Sequence, residues 1–262
     1  MKNITIILPI HKLNDDYIKM LDNAVSSVEP FHNDVILLIV TTNKLKKEIQ
    51  EINLSQKLEI KFKTHTGLTD FCSQVNEGIK VCETEWFSIL EIDDEYRPIW
   101  LKSMNEYMKT FTDVSVFLPI VKDINTEGKF QSFTNESTWA YGFTEKQGYL
   151  DNEVLLDFQN YQISGGLYKT DIIKENGMLK ENIKLSFGYE FLLRLTHNHV
   201  KIMTVPRIGY QHVNFREDSL FWLYKNDEGK EKMDENEVKF WIDSAKKEFF
   251  FKNKRDINYT ES

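Results

Sequence analysis

The sequence predicts an α/β protein, a mostly parallel sheet with helices on both faces. Two patterns lead there. The first half alternates short apolar runs with amphipathic stretches. The runs are apolar throughout, as in strands buried on both sides, and do not alternate in and out. Composition agrees with one large folded domain, or one domain with an appendage: 262 residues, 41% hydrophobic, with 11 Gly and 5 Pro.

Taken in order, "NITIILPI" reads as the opening strand. Ile18, Leu21, Val25 and Val28 then mark one apolar helix face, with Asn14 or Asp15 placed to cap it. "DVILLIV" and "KLEIKF" are the second and third strands. Phe71, Val75, Ile79 and Cys82 form another helical stripe, "WFSILEI" the fourth strand, and Leu101, Met104, Met108 and Phe111 a helix after Pro98. "VSVFLPIVKDINTEGKFQSF" reads as two strands joined by a turn at Asn125 to Gly128, a small antiparallel element. In "YQISGGLYKTDIIKENG", Gly165 and Gly166 permit a close backbone approach, and Gly177 ends a helix begun at Thr170 or Asp171. "YEFLLRLTHNH" is a helix and "VKIMTV" a strand stopped by Pro206. Asp234 to Lys254 is a charged amphipathic helix.

Net charge is −8, which disfavours a generic grip on nucleic acid phosphates. Cys72 and Cys82 read as reduced core residues, and "MKNITIILPIHK" is too short and too soon charged for a signal peptide, so the expected location is cytoplasmic. The longest aliphatic run, "VILLIV", is far below membrane-spanning length.

The chemistry lies in "FSILEIDDEYRPIW", where Glu91, Asp93, Asp94 and Glu95 crowd the end of the fourth strand. Like charges this close raise one another's pKa unless a cation binds between them. Ligands of such sheets bind beyond the carboxyl ends of the strands. Oxygen ligands there suit Mg²⁺ or Mn²⁺ shared with a substrate's phosphates. The other reading is that Asp93 to Glu95 cap the helix after Pro98 and face solvent.

"ITIILPIH", "NEGIKVCETEWFSILEIDD", the Gly-Gly strand, the acid-plus-Arg helix and the late "GYQHVNFREDS" together resemble the family 2 glycosyltransferases of the GT-A fold, from about Ile4 to Ser219. The resemblance implies a Rossmann-like domain over 1–222, with a nucleotide-binding half to about 112, an acceptor and catalytic half from 113, and a C-terminal helical extension over 223–262. It implies that the backbone near Pro9 and Ile10 flanks the nucleotide base, that Thr41 takes the place of a base-reading acid, and that His11, Asn76, Gly165 and Gly166 belong to the donor site. Glu91 falls near the ribose. Asp93 and Asp94 fall at the Mn²⁺ or Mg²⁺, His212 at the metal or against the diphosphate, and Arg216 at the diphosphate. The implied activity is an inverting transfer from a UDP- or GDP-sugar to an acceptor hydroxyl, on a glycan by family default, with a protein or a modified DNA base as other acceptors.

Three features depart from the family pattern. Glu91 stands where Asp is usual, and Thr41 and Thr42 replace an acidic pair. The usual general-base place, aligned from Arg194, holds Gly188; Glu190 is the only carboxylate of "SFGYEFLLRL" and is the expected base, with Arg194 beside it at i,i+4. An i,i+4 ion pair is the structural alternative. A binding module without turnover is the non-enzyme rival; a nucleotidyltransferase ranks lower, since "PIHKLNDD" is no Gly-rich phosphate loop. Trp139, Tyr141 and Tyr149 are a sugar platform or, more simply, core. The terminal helix, with Phe240, Trp241, Phe249, Phe250 and Lys and Arg residues, is expected to pack on the domain or make a homodimer before it touches a membrane.

Overall fold

The structure is a computed structural model that describes residues 2–68, 70–142, 144–214, 216–219 and 235–247. Strand β1 (Ile4–Pro9) leads to α1 (Asp15–Val28), capped by Asn14, whose side chain accepts from the Tyr17 amide. β2 (Val35–Thr42), α2 (Asn43–Glu51) and β3 (Glu59–His65) follow. The sequence pattern misses α2 because Ile49 is its one buried residue and lysines and glutamates hide the period. Then come α3 (Phe71–Val81), β4 (Trp86–Ile89), β5 (Glu95–Tyr96) and α4 (Trp100–Thr110). β6 (Val116–Ile124) and β7 (Phe130–Thr134) form the expected antiparallel pair, and β8 (Tyr149–Leu150) and α5 (Asn152–Asp157) lie beyond it. β9 (Leu167–Lys169), α6 (Thr170–Glu175), α7 (Phe187–His197), β10 (Ile202–Val213) and α8 (Glu235–Lys246) complete the described chain.

The strands form one sheet in the order β3-β2-β1-β4-β9-β6-β10-β5, with β7 paired to β6 and β8 to β10. β1, β2, β3 and β4 are mutually parallel, as are β6 and β10, while β9 runs antiparallel between β4 and β6. β1 lies between β2 and β4, where the strand order reverses, so its carboxyl end opens a crevice. Two apolar cores cover the two faces. One buries Leu21 and Val25 of α1 and Trp100 and Met104 of α4; the other buries Val75 and Ile79 of α3 and Leu192 and Leu195 of α7. Cys72 and Cys82 are free and buried in the second.

Pro206 does not stop the last strand. β10 continues through it to Val213, with register shifts against β6 between Val205 and Ile208 and between Ile208 and Tyr210. Proline donates no ladder hydrogen bond, and a bulge absorbs it. Gly209 lets the irregular backbone press onto its neighbours: a Cβ there would stand 2.8 Å from Pro119 Cβ. The continued strand brings Tyr210 and His212 to the acidic turn.

α8 lies against α7, and its Ile242 packs on the second core, so this part of the extension packs on the domain as expected. The rest of the expected extension, including Phe249, Phe250, Lys252, Lys254 and Arg255, lies outside the described residues. Among the described residues no helix is long and apolar enough to cross a membrane.

Candidate active site

The turn from Leu90 to Asp94 rests on a bed of aromatic rings. The Tyr96 ring lies 4.4 Å from that of Trp100 and 5.3 Å from that of Tyr210, centroid to centroid. Tyr210 Oη accepts from the Glu91 amide at 3.1 Å, and Trp100 Nε1 donates to Gly165 O at 2.8 Å. Side chains above this bed are therefore fixed by packing. The carboxylates do not cap α4, which has no side-chain cap.

Each acid has its own partner. Asp94, fully buried, accepts from His212 Nδ1 at 3.1 and 2.9 Å and from the Val213 amide at 2.9 Å. Glu91 accepts from the Ser164 hydroxyl at 2.6 Å. Asp93 Oδ2 lies 2.9 Å from Arg216 Nε, both side chains about a tenth exposed. Burial and then the neighbouring Asp94 push the Glu91 and Asp93 carboxyls above the ordinary range. Burial works against a charged His212, but Asp94 overrides it and raises the imidazole to about 10.

Glu91, Asp94 and His212 each present a donor atom within 4.8 Å of the other two. Two carboxylates and an imidazole fit Mn²⁺ or Mg²⁺, and carboxylates with raised pKa are what such a charge would settle. The geometric trio differs from the expected set of Asp93, Asp94 and His212: Asp93 faces Arg216, and Glu91 takes its place.

A cleft of about 590 Å³ opens above the turn, lined at one end by Pro9, His11, Glu91, Asp93, His212 and Arg216. Phe71, Tyr161, Phe187, Gly188, Tyr189 and Ile242 line the rest. His11 is held neutral, its pKa lowered to about 4 by burial and then by Lys12 and Arg216.

Several expected residues stand elsewhere. Glu190 is 0% exposed and does not line the cleft; its carboxylate binds Arg194 Nε and Nη2 at 2.8 and 3.1 Å and Lys180 at 3.2 Å. Arg194 also donates to the Asn176 and Met178 carbonyls. The pair clamps the segment before α7, so Glu190 is no general base: a base must reach the acceptor. Thr41 is fully buried and donates to Ile10 O at 2.8 Å, while Thr42 caps α2 by accepting from the Leu45 amide. Neither Thr41 nor the buried Ile10 lines the cleft. The Asn76 side chain donates to Leu179 O and accepts from the Leu179 amide, tying α3 to the loop after α6. Gly165 and Gly166 admit protein, not ligand: a Cβ would meet the Tyr210 ring at 2.5 Å from the first and Tyr168 Oη at 2.5 Å from the second. Trp139 donates to Thr204 O, Tyr141 is exposed, and none of Trp139, Tyr141 and Tyr149 lines the cleft.

Sequence reasoning missed Ser164, which holds Glu91, and Tyr17, whose ring lies 5.0 Å from the Arg216 guanidinium carbon. Ser164 sits beside the Gly-Gly pair, a signal read for the glycines alone. Tyr17 looked like one more helix residue.

The sheet order, the crevice at β1 and β4 and the acidic turn define the glycosyltransferase GT-A fold, and solved structures of that fold are similar. TarS from S. aureus, in complex with UDP-GlcNAc, superposes with a TM-score of 0.62 at 16% identity over 84% of this chain and 60% of that one. The mannosyltransferase PcManGT from Pyrobaculum calidifontis, in complex with GDP-Man and Mn2+, gives 0.59 at 10% identity over 82% of this chain and 58% of that one. The chain thus spans about 60% of the TarS structure's length. The glycosyl transferase family 2 profile matches residues 5–166, and the chain belongs to that family. No curated protein matches it in sequence.

Proposed function

We propose that the protein is a metal-dependent hexosyl- or pentosyltransferase that moves a sugar, with inversion, from a UDP- or GDP-sugar to an acceptor hydroxyl. The observation that carries this is the cluster of Glu91, Asp94 and His212: Glu91 and His212 line the cleft at the carboxyl ends of β1 and β4, with Asp93 beside them and the buried Asp94 directly behind. The neighbours, bound to UDP-GlcNAc and to GDP-Man with Mn2+, support the donor class.

When bound, the cation supplies positive charge to the leaving diphosphate. The chain's own residues do the rest. Asp94 holds the proton on His212 Nδ1, so Nε2 is the nitrogen that would ligate the cation, releasing its own proton as it does so. Ser164 sets the direction of Glu91, and Pro9 and His11 wall the nucleotide end. The neutral His11 adds no positive charge against a base.

The test is transfer or hydrolysis of UDP- and GDP-sugars with Mn²⁺, Mg²⁺ or chelator. Turnover is expected only with the cation and is expected to vanish in Asp93→Ala; activity in chelator overturns the metal role.

A second reading is a nucleotide-sugar binding module without turnover. α7 favours it, because Gly188 faces the cleft where Glu190 does not. Outside the acidic turn, Asp70 is the one carboxylate among the described lining residues, and it caps α3 through the Ser73 amide. Calorimetric binding of UDP or GDP with Mn²⁺ but no product under any acceptor supply would favour the module.

A further inference from the structure

Asp93 and Arg216 both line the cleft, and they occupy each other. Their contact is close but poorly directed: Nε lies 2.9 Å from Oδ2, yet this buried nitrogen makes no hydrogen bond of good geometry. Charge holds the pair, and a stronger charge can take its place. Arg216 also has other holds. Its Nη1 lies 3.2 Å from Asp218, whose carboxylate meets Lys12 at 3.3 Å. The ring of Tyr17 supports both cations, with Lys12 Nζ at 4.6 Å and the Arg216 guanidinium carbon at 5.0 Å from its centroid. Arg216 can therefore leave Asp93 without leaving the cleft.

Three carboxylates in the turn face one imidazole and one guanidinium. A divalent cation beside them brings positive charge in excess unless Arg216 finds another anion. A diphosphate spanning the floor is such an anion.

We infer that Arg216 is the resident counter-ion of Asp93, displaced by a divalent cation and taken up by the diphosphate, so that cation and nucleoside diphosphate bind cooperatively through this side chain. The inference rests on the metal site proposed above and concerns how that site is loaded. Asp93 is thereby released to join Glu91, Asp94 and His212. The coupling is reciprocal: each ligand improves the other's binding by one factor.

The test is Mn²⁺ affinity of the full chain, read by calorimetry and by the electron paramagnetic resonance of free Mn²⁺, alone and with saturating UDP or GDP. Wild type, Arg216→Gln and Arg216→Lys are compared, each checked by thermal melting. Wild type is expected to bind Mn²⁺ weakly alone and about tenfold or more tighter with the nucleotide. Arg216→Gln is expected to bind Mn²⁺ alone about tenfold tighter than wild type and to lose most of the coupling. Arg216→Lys keeps the charge and is expected to stay near wild type. Direct bridging of metal and phosphate produces coupling too, but leaves the affinity for Mn²⁺ alone unchanged in Arg216→Gln. Equal or weaker Mn²⁺ binding by Arg216→Gln, or tightening in Arg216→Lys as large as in Gln, overturns the inference and spares the metal site. No Mn²⁺ binding by wild type or either variant, with or without nucleotide, overturns both.

Discussion

His212 Nδ1 lies 2.9 Å from Asp94 Oδ2, and the next amide, that of Val213, donates to the other oxygen of the same carboxylate. Asp94, itself fully buried, thus fixes both the ring and the backbone of the last strand, while the imidazole stays partly exposed to the cleft. Removing one partner of a buried pair costs about 3–5 kcal/mol. Asp94→Ala is expected to lose stability on that scale in urea unfolding, together with Mn²⁺ binding. Asp93→Ala also removes the partner of a mostly buried cation, but Arg216 keeps Asp218 and the turn loses one of its crowded carboxylates, so this variant is expected to unfold near the wild-type midpoint while losing metal-dependent turnover. Equal destabilisation by the two would remove the division of labour between anchor and ligand.

The Glu190 clamp gives a second expectation. Its carboxylate answers Arg194 and Lys180 with no solvent access. Glu190→Gln leaves those cations under-neutralised and is expected to lower stability by about 3 kcal/mol. Nucleotide affinity should hardly change. A variant as stable as wild type but without turnover would return Glu190 to the role of base.

Gly188 offers the converse experiment. A Cβ there would meet nothing nearer than Ile163 Cγ2 at 3.6 Å, and the residue lies in the first turn of α7, where an acid suits the helix dipole. Gly188→Asp is expected to fold normally and to place a carboxylate in the cleft. If a missing base limits the rate, donor turnover with Mn²⁺ should rise by about 10²-fold, the low end of general-base effects. Unchanged turnover in a folded variant would show that proton removal is not limiting.

His11 makes stability depend on pH. Its folded pKa lies near 4, below the unfolded value of 6.5, so the unfolded chain binds more protons between those limits. Its contribution is complete above about pH 6.5 and is lost as the pH falls towards 4. His11→Gln should flatten this part of the melting curve. Melting temperatures of wild type and variant that fall in parallel from pH 7 to 4 would assign the loss to other groups.

Most of the frame was legible because its strands are apolar runs. Ile4–Pro9 and Val35–Thr42 announce themselves by composition, and the Asp93-Asp94 pair by its place after such a run. Two kinds of information were not legible. One is direction: Thr41, Asn76 and Glu190 are polar residues near the site in sequence that turn inward to satisfy backbone or charge. A buried polar group with its partners in place looks, in sequence, like a ligand-binding one. The other is pairing across long separations, such as Ser164 with Glu91 or Arg216 with Asp93, which only the fold brings about.

The irregular stretch of β10 also acts as a phase setter. From Val205 to Tyr210 this strand advances five residues while its neighbour advances two, from Pro119 to Val121. The surplus is odd, and facing along a strand alternates residue by residue. Everything past the bulge is thereby turned over relative to a regular ladder, and His212 looks onto the acidic turn. Deleting one residue between Pro206 and Gly209 would restore the opposite parity and swing the imidazole to the far side, disarming the centre without touching any member of it.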